Sequence, residues 1–365
     1  MSELVNKLVS DNLQALLPYE SARRLFSGAG TKQQIWLNAN ESPYNNDYAI
    51  DPESFNRYPD CQPPAVVNAY ALYAGIKQEQ LLVSRGADEA IELLIRTFCT
   101  PAQDKILICP PTYGMYAISA ETCNVGIAKA PLLADFSLDV AAICAFKGKV
   151  NLVFICSPNN PTGTSVNKDD LQTVIEHFAD SALVVVDEAY IEFDLANNWA
   201  MQLQQYPNLV ILRTLSKAFA LAGLRCGFAL ASQEIIQAMM KVIAPYPVSE
   251  PVAQIAAQAL SKHGLLQMSR QVLAIKAEKA SMKQALTAMP QVELVGDDKA
   301  NFILFRSAKK QALMDHLVSH GILIRDQSKQ LNLEHCLRIT IGTPQQNEQL
   351  LAEITSFFAQ QEQTV

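Results

Sequence analysis

Short apolar runs alternate with longer amphipathic stretches over the first two-thirds of the chain. The runs fall at Leu81–Ser84, Lys105–Cys109, Asn151–Cys156, Leu183–Val186, Asn208–Leu212 and Cys226–Leu230. Runs rich in Val, Ile and Leu, without polar alternation, mark strands covered on both faces, as in parallel sheets. The helix-length segments between them predict βαβ crossovers and a mostly parallel sheet, hence an α/β fold with one large domain over residues 40–244. The turn Ala244-Pro-Tyr-Pro-Val-Ser-Glu-Pro251 ends that domain. A long helical pattern from Val252 to Met289 follows. Further apolar runs at Val292–Leu294, Phe302–Phe305, Leu323–Ile324 and Leu337–Ile341, with helices between them, predict a smaller α+β domain over residues 245–365.

Composition adds limits. At 365 residues and 49% hydrophobic, the chain can build two cores. A net charge of −7 argues against nucleic acid or an anionic membrane as partner, so an anionic ligand would need local arginines. The eight cysteines include no C-x-x-C pair, and Cys99, Cys109, Cys156 and Cys226 sit in apolar runs. They read as core residues of a protein in a reducing cytoplasm. No apolar run approaches the ~20 residues of a membrane span, and no basic region precedes a hydrophobic one at the start of the chain.

The candidate chemistry gathers at the ends of the predicted strands. In Thr214-Leu-Ser-Lys-Ala-Phe-Ala-Leu-Ala-Gly-Leu-Arg225, Lys217 follows a buried strand amid apolar residues. Desolvation lowers an amine's pKa and frees its lone pair to attack a carbonyl such as that of pyridoxal phosphate. Thr214, Ser216 and Arg225 are the donors a phosphate monoester needs. A core-edge lysine paired with an acid is the alternative. Asp187 ends the strand of Ala182-Leu-Val-Val-Val-Asp-Glu-Ala-Tyr190, where open α/β sheets bind ligands, and a carboxylate there can keep a pyridine nitrogen protonated; a helix cap or metal ligand is the other reading. Asn160, in Ser157-Pro-Asn-Asn-Pro-Thr-Gly163, and Tyr190 can donate to a ring oxygen, although the same loop is ordinary turn sequence. The strand, Gly86 turn and helix of Leu81–Arg96 offer the N–H groups of Ala87 and Asp88 as a phosphate cradle.

Taken in order, Gly-Ala-Asp-Glu, Pro-Pro-Thr-Tyr-Gly-Met-Tyr, Ser-Pro-Asn-Asn-Pro-Thr-Gly, Asp-Glu-Ala-Tyr, Leu-Ser-Lys-Ala-Phe and Leu-Arg-Ile-Thr-Ile-Gly resemble the fold-type I, pyridoxal-phosphate-dependent aminotransferases. The likeness runs from about Leu17 to Gly342 and is nearest to the histidinol-phosphate-specific branch. It implies Lys217, Asp187 and Tyr190 as catalytic residues and pyridoxal phosphate as cofactor. It also implies a homodimer, in which Tyr58 reaches the phosphate of the neighbouring subunit's cofactor while Tyr113 stacks on the chain's own. The N-terminal segment, residues 1–39, is expected to join the small domain. Histidinol phosphate and 2-oxoglutarate/glutamate are the implied substrates. A phosphothreonine decarboxylase or an aromatic aminotransferase would carry the same cofactor motifs, and a non-enzymatic cofactor-sensing regulator would need a basic DNA-binding domain that the first forty residues do not resemble.

Arg338, inside an otherwise apolar strand, is expected to clamp the substrate's acid group, with an interdomain ion pair as its alternative. Arg325 ends another strand and suits a phosphate, unless it pairs with neighbouring Asp326. Asn160 also faces the substrate in this reading, and Tyr19 is placed at its imidazole end. The loop Asn40-Glu-Ser-Pro43 departs from the Asn-Glu-Asn-Pro usual in that branch, so its contacts carry less weight. His316 and His320 stand four apart on a predicted helix, Lys309–His320, but no third ligand lies near in sequence. They read as helix-end residues favoured by the dipole, and no metal site is predicted.

Overall fold

The computed structural model describes residues 3–14, 16 and 34–362. In chain order the strands are β1 (Ile35–Trp36), β2 (Leu81–Ser84), β3 (Lys105–Ile108), β4 (Gly126–Lys129), β5 (Leu152–Cys156), β6 (Leu183–Asp187) and β7 (Leu209–Thr214). There follow β8 (Gly227–Leu230), β9 (Glu293–Val295), β10 (Phe302–Arg306), β11 (Ile322–Leu323), β12 (Arg325–Asp326) and β13 (Cys336–Thr340). The larger sheet has seven strands in the order β2-β8-β7-β6-β5-β3-β4, all parallel from β7 to β4, with β8 antiparallel to both its neighbours.

Successive side chains of its central strands feed two cores. Val153, Ile155, Val184, Val186 and Ile211 pack on one face, and Phe154, Val185, Val210 and Leu212 on the other, all essentially inaccessible. At about 1.5–3 kcal/mol per buried large apolar side chain, this double coverage fixes the strand register, and with it the residues at the strand ends.

A second, antiparallel sheet of four strands runs β12-β13-β10-β9. β1 pairs in parallel with β11, and Thr340 N–H donates to Leu37 O at 2.9 Å, so residues 35–37 are stitched to this smaller sheet. Asn12 Nδ2, by contrast, donates to Glu121 O at 3.0 Å in the helix Met115–Thr122 beside the larger one. The core is continuous between the two layers through Tyr190 and Phe302, whose rings meet edge to face at 5.5 Å.

Three elements differ from the sequence pattern. The single helix expected over Val252–Met289 is two, Glu250–Ala259 and Lys262–Thr287. Ser261 caps the second by accepting from Gly264 N–H at 3.2 Å, and a side chain at Gly264 would strike Ala259 O. The strand expected at Leu323–Ile324 is instead β11 and β12, which serve different sheets. Edge strand β4 escaped notice because its half-buried Gly-Ile-Ala-Lys carries too little apolar signal. One expectation about side chains also changes: His316 and His320 do have a third donor nearby, Glu353 of the C-terminal helix Pro344–Glu362.

Candidate active site

A cavity of about 560 Å³ opens at the carboxyl ends of β5, β6 and β7, between the two sheets. Cys156, Asp187 and Thr214 end those three strands and line it. The start of helix Ala87–Phe98 closes one end, and β12 and β13 close the other. Among the described residues, every one given a catalytic, cofactor or substrate role in sequence, except Tyr58, lines this cavity. Tyr19 lies outside the described residues.

Lys217 sits on the wall, half-buried, its Nζ donating to Ala39 O at 3.1 Å and lying 5.8 Å from the centre of the Tyr190 ring. Burial, with Arg338 next, brings its pKa down to about 8. At neutral pH a fair share of that amine is therefore available as base or nucleophile. Asp187, 2% exposed, is moved the other way: burial raises its carboxyl to about 6. Tyr116 Oη donates to its Oδ2 at 2.6 Å and Ala189 N–H to its Oδ1 at 3.0 Å, and both bonds hold the rise in check by favouring the ionised form. Asn40 Nδ2 donates to Tyr190 Oη at 2.8 Å, which orients that hydroxyl on the cavity wall.

The end near helix Ala87–Phe98 is rich in donors. Ala87 and Asp88 begin the helix, so their N–H groups have no partner in the preceding turn. Gly86 has φ 84°, and a side chain on it would press against the Arg225 guanidinium, 2.8 Å from Nη2. Arg225 Nη2 pairs with Asp88 Oδ2 at 3.1 Å and Nη1 donates to Ser216 Oγ at 3.4 Å, while Thr214 Oγ1 donates to Ser216 Oγ at 2.9 Å. Tyr113 Oη donates to the other Asp88 oxygen at 2.9 Å. Hydroxyls, a guanidinium and a helix start within one corner are the kind of donors that suit a phosphate.

The opposite wall carries the two strand arginines. Arg325 of β12 and Arg338 of β13 are direct partners in the antiparallel register, so their side chains share a face. Like charges placed opposite one another repel, and an anion between them relieves the repulsion. Arg338 Nη1 donates to Asn160 Oδ1 and Nη2 to Asn38 O at 3.1 Å, with the guanidinium over the Phe302 ring at 5.3 Å. The Asn160 amide NH2 remains as its donor end. Asp326 does not hold Arg325 in a simple surface pair, because its carboxylate takes Lys310 at 2.8 Å.

Sequence reasoning missed several contributors. Tyr116 belongs to a quoted motif, but its role as donor to Asp187 depends on a helical turn, Met115–Thr122, that brings it back under Tyr113. Asn38 to Glu41 form part of the cavity wall, so the discounted loop matters after all. Just before the loop, Asn38 and Ala39 make two further contacts through backbone carbonyls, while Asn40 of the loop itself acts through its side-chain amide. Gln327 and Gln330, just beyond β12, line the cavity beside the two arginines, and nothing in their spacing points to it. Tyr58 lies away from the chain's own cavity, 81% exposed and stacked on Tyr246 at 4.4 Å.

Known proteins share this arrangement. The profile of the family "Aminotransferase class I and II" matches residues 28–354. The chain is 71% identical over 364 residues to the histidinol-phosphate aminotransferase of Pseudoalteromonas atlantica, covering 100% of this chain and 98% of that protein. It is 53% identical over 350 residues to the enzyme of that name from Yersinia enterocolitica, covering 96% and 92%. Its fold matches the crystal structure of histidinol-phosphate aminotransferase from Sinorhizobium meliloti in complex with pyridoxal-5'-phosphate, with a TM-score of 0.84 at 22% identity over 95% of this chain and 98% of that one. With a lysine, an acid and paired arginines converging on one cavity of this fold, the chain belongs to the class I and II aminotransferases, and within them to the histidinol-phosphate aminotransferase family.

Proposed function

We propose that the chain, carrying pyridoxal phosphate, moves the amino group of L-histidinol phosphate onto 2-oxoglutarate, giving imidazole acetol phosphate and L-glutamate, and that it works as a cytoplasmic homodimer. One observation carries the reading: the Lys217 amine, held near neutrality, lies in a cavity with a buried acid at one side and two arginines at another. The names of the 71% and 53% identical relatives support the choice of substrate.

The donor set suits the cofactor. The Ala87 and Asp88 N–H groups, Thr214, Ser216 and Arg225 would hold its phosphate, with Tyr58 added from the partner subunit. Asp187 would face its ring nitrogen, Asn160 and Tyr190 its ring oxygen, and Tyr113 its ring face. When bound, pyridoxal phosphate supplies a carbonyl carbon for amine exchange and a ring that accepts an electron pair.

The protein's own part is proton movement and orientation. Lys217 would take the proton from the substrate Cα as general base and, as general acid, deliver it to the cofactor carbon that carried the carbonyl, C4′. Asp187 would keep a proton at the ring nitrogen, and a cation there would offset the burial penalty that raises its own pKa. Arg338 and Arg325 fix the anionic end of the substrate, a phosphate in the first half-reaction and a carboxylate in the second. Tyr19 is assigned to the imidazole end. The division into residues 40–244, which bind the cofactor, and residues 245–365 with the segment 1–39, which help bind substrate, belongs to the same reading.

The test is a single half-reaction. The cofactor-loaded protein is mixed with L-histidinol phosphate without acceptor and followed by absorbance. Conversion to pyridoxamine phosphate, one per site, with recovery on adding 2-oxoglutarate, is the expected result. An unchanged spectrum, with carbon dioxide released from phosphothreonine in a parallel assay, would replace the transaminase with a decarboxylase. Lys217→Ala should still bind the cofactor reversibly but lose nearly all turnover.

A further inference from the structure

We propose that His316, His320 and Glu353 form a metal site on the outer surface of the smaller sheet's helical layer, suited to zinc(II). The bound ion would clamp the helix Lys310–Ser319 to the C-terminal helix Pro344–Glu362. The two histidines stand one turn apart on one helix face, with ring centres 4.3 Å apart. Glu353 comes from the neighbouring helix, and its Oε2 lies 3.1 Å from His316 Nε2 and 3.8 Å from His320 Nε2. All three donor atoms fall within 4.8 Å of one another. A tetrahedral zinc ion, with bonds of about 2.0–2.1 Å, holds its ligand atoms about 3.3 Å apart. The two measured separations bracket that value. The remaining adjustment falls on His320, the most exposed of the three side chains at 45%.

The hydrogen bonding of His320 gives an independent argument. Its Nδ1 lies 2.8 Å from His316 O. A carbonyl oxygen only accepts, so Nδ1 carries the hydrogen and the lone pair of the neutral ring is on Nε2, the nitrogen nearest Glu353. This is how proteins commonly fix the tautomer of a metal-binding imidazole. A metal ion placed between the three side chains would take one donor atom from each. Two imidazoles and one carboxylate suit zinc, cobalt, nickel or copper better than calcium or magnesium. Phe357 packs against His316 at 5.4 Å between ring centres and screens one side, which leaves the exposed side for a water ligand.

The experiment uses the intact, cofactor-loaded protein, stripped of metal with a chelator and titrated with zinc chloride in a calorimeter. One equivalent should bind at micromolar affinity or tighter, and the melting temperature should rise. Cobalt(II) substituted for zinc should give a spectrum without a thiolate charge-transfer band, which separates this site from any cysteine. His320→Gln and Glu353→Gln should each weaken binding about tenfold or more. Circular dichroism and the transamination rate of both variants should be unchanged. Equal zinc affinity in the variants and the parent would overturn the proposal, as would a thiolate band or the absence of a stoichiometric binding step.

Discussion

The same burial moves Lys217 and Asp187 in opposite senses, the amine down to about 8 and the acid up to about 6, so both lie within reach of neutral pH. Tyr116 tempers the second shift. Tyr116→Phe removes a donor to a buried carboxylate, worth about 1.5–3 kcal/mol. It should lower kcat roughly tenfold or more and weaken retention of the cofactor, as measured by steady-state rates and by the rate of cofactor loss on dialysis. Glu192 shows the same physics without a catalytic role. It is 5% exposed, its Oε2 finds no hydrogen-bond partner, and burial raises its carboxyl to about 7. A carboxyl with a raised pKa in the fold favours folding while it is protonated. That advantage is lost as pH rises from the ordinary glutamate value, where the unfolded chain ionises, through about 7, where the folded chain does. Glu192→Gln, with no proton to lose, should match the parent's stability near pH 4.5. At pH 8 it should exceed it by about 1–3 kcal/mol, read from denaturant melts at the two pH values.

At the level of elements, what was legible in the sequence follows from how each element is stabilised. β5, β6 and β7 are buried on both faces, so their apolar runs announce them, and Cys156 and Asp187 could be placed at strand ends from sequence, whereas the run expected to stop at Leu212 continues to Thr214. The short strands β1, β11 and β12 could not, since two residues carry no periodicity and their pairing partners lie up to 287 residues away. The contacts that complete the site are of this second kind. Asn38 to Asn40 receive Arg338, Lys217 and Asn301 through backbone carbonyls, which leave no mark on side-chain identity. The helix Lys262–Thr287 raises a related case. Lys279, 3% exposed, donates to the carbonyls of Asp298 and Ala300, tying the helix to the turn before β10. In sequence it is one lysine in a charged helix. Lys279→Met would leave one buried and one partly buried carbonyl without this donor and should cost about 1–3 kcal/mol, seen as a lower melting temperature with kcat little changed.

For the whole molecule, the position of Tyr58 decides whether one chain makes a complete site. If Tyr58 serves the partner's cofactor, Tyr58→Ala and Lys217→Ala fail in different subunits' contributions. Co-expression of the two variants would then pair a subunit that keeps Lys217 with one that keeps Tyr58, and each mixed dimer would hold one intact site. With random pairing, activity should return to roughly a quarter of the parent's, whereas each variant alone stays low. Purified mixed dimers that remain as inactive as the separate variants would return Tyr58 to its own subunit.

Arg325 and the adjoining Gln327 and Gln330 reach the cavity from one short stretch at the edge of the smaller sheet, whereas Lys217, Asp187 and Asn160 sit on or after strands of the larger one. If the two strand arginines hold the substrate's anion as proposed, recognition and proton handling lie largely on separate pieces of chain, and substrate choice is open to redesign through residues 325–330 and Arg338 without touching Lys217 or Asp187.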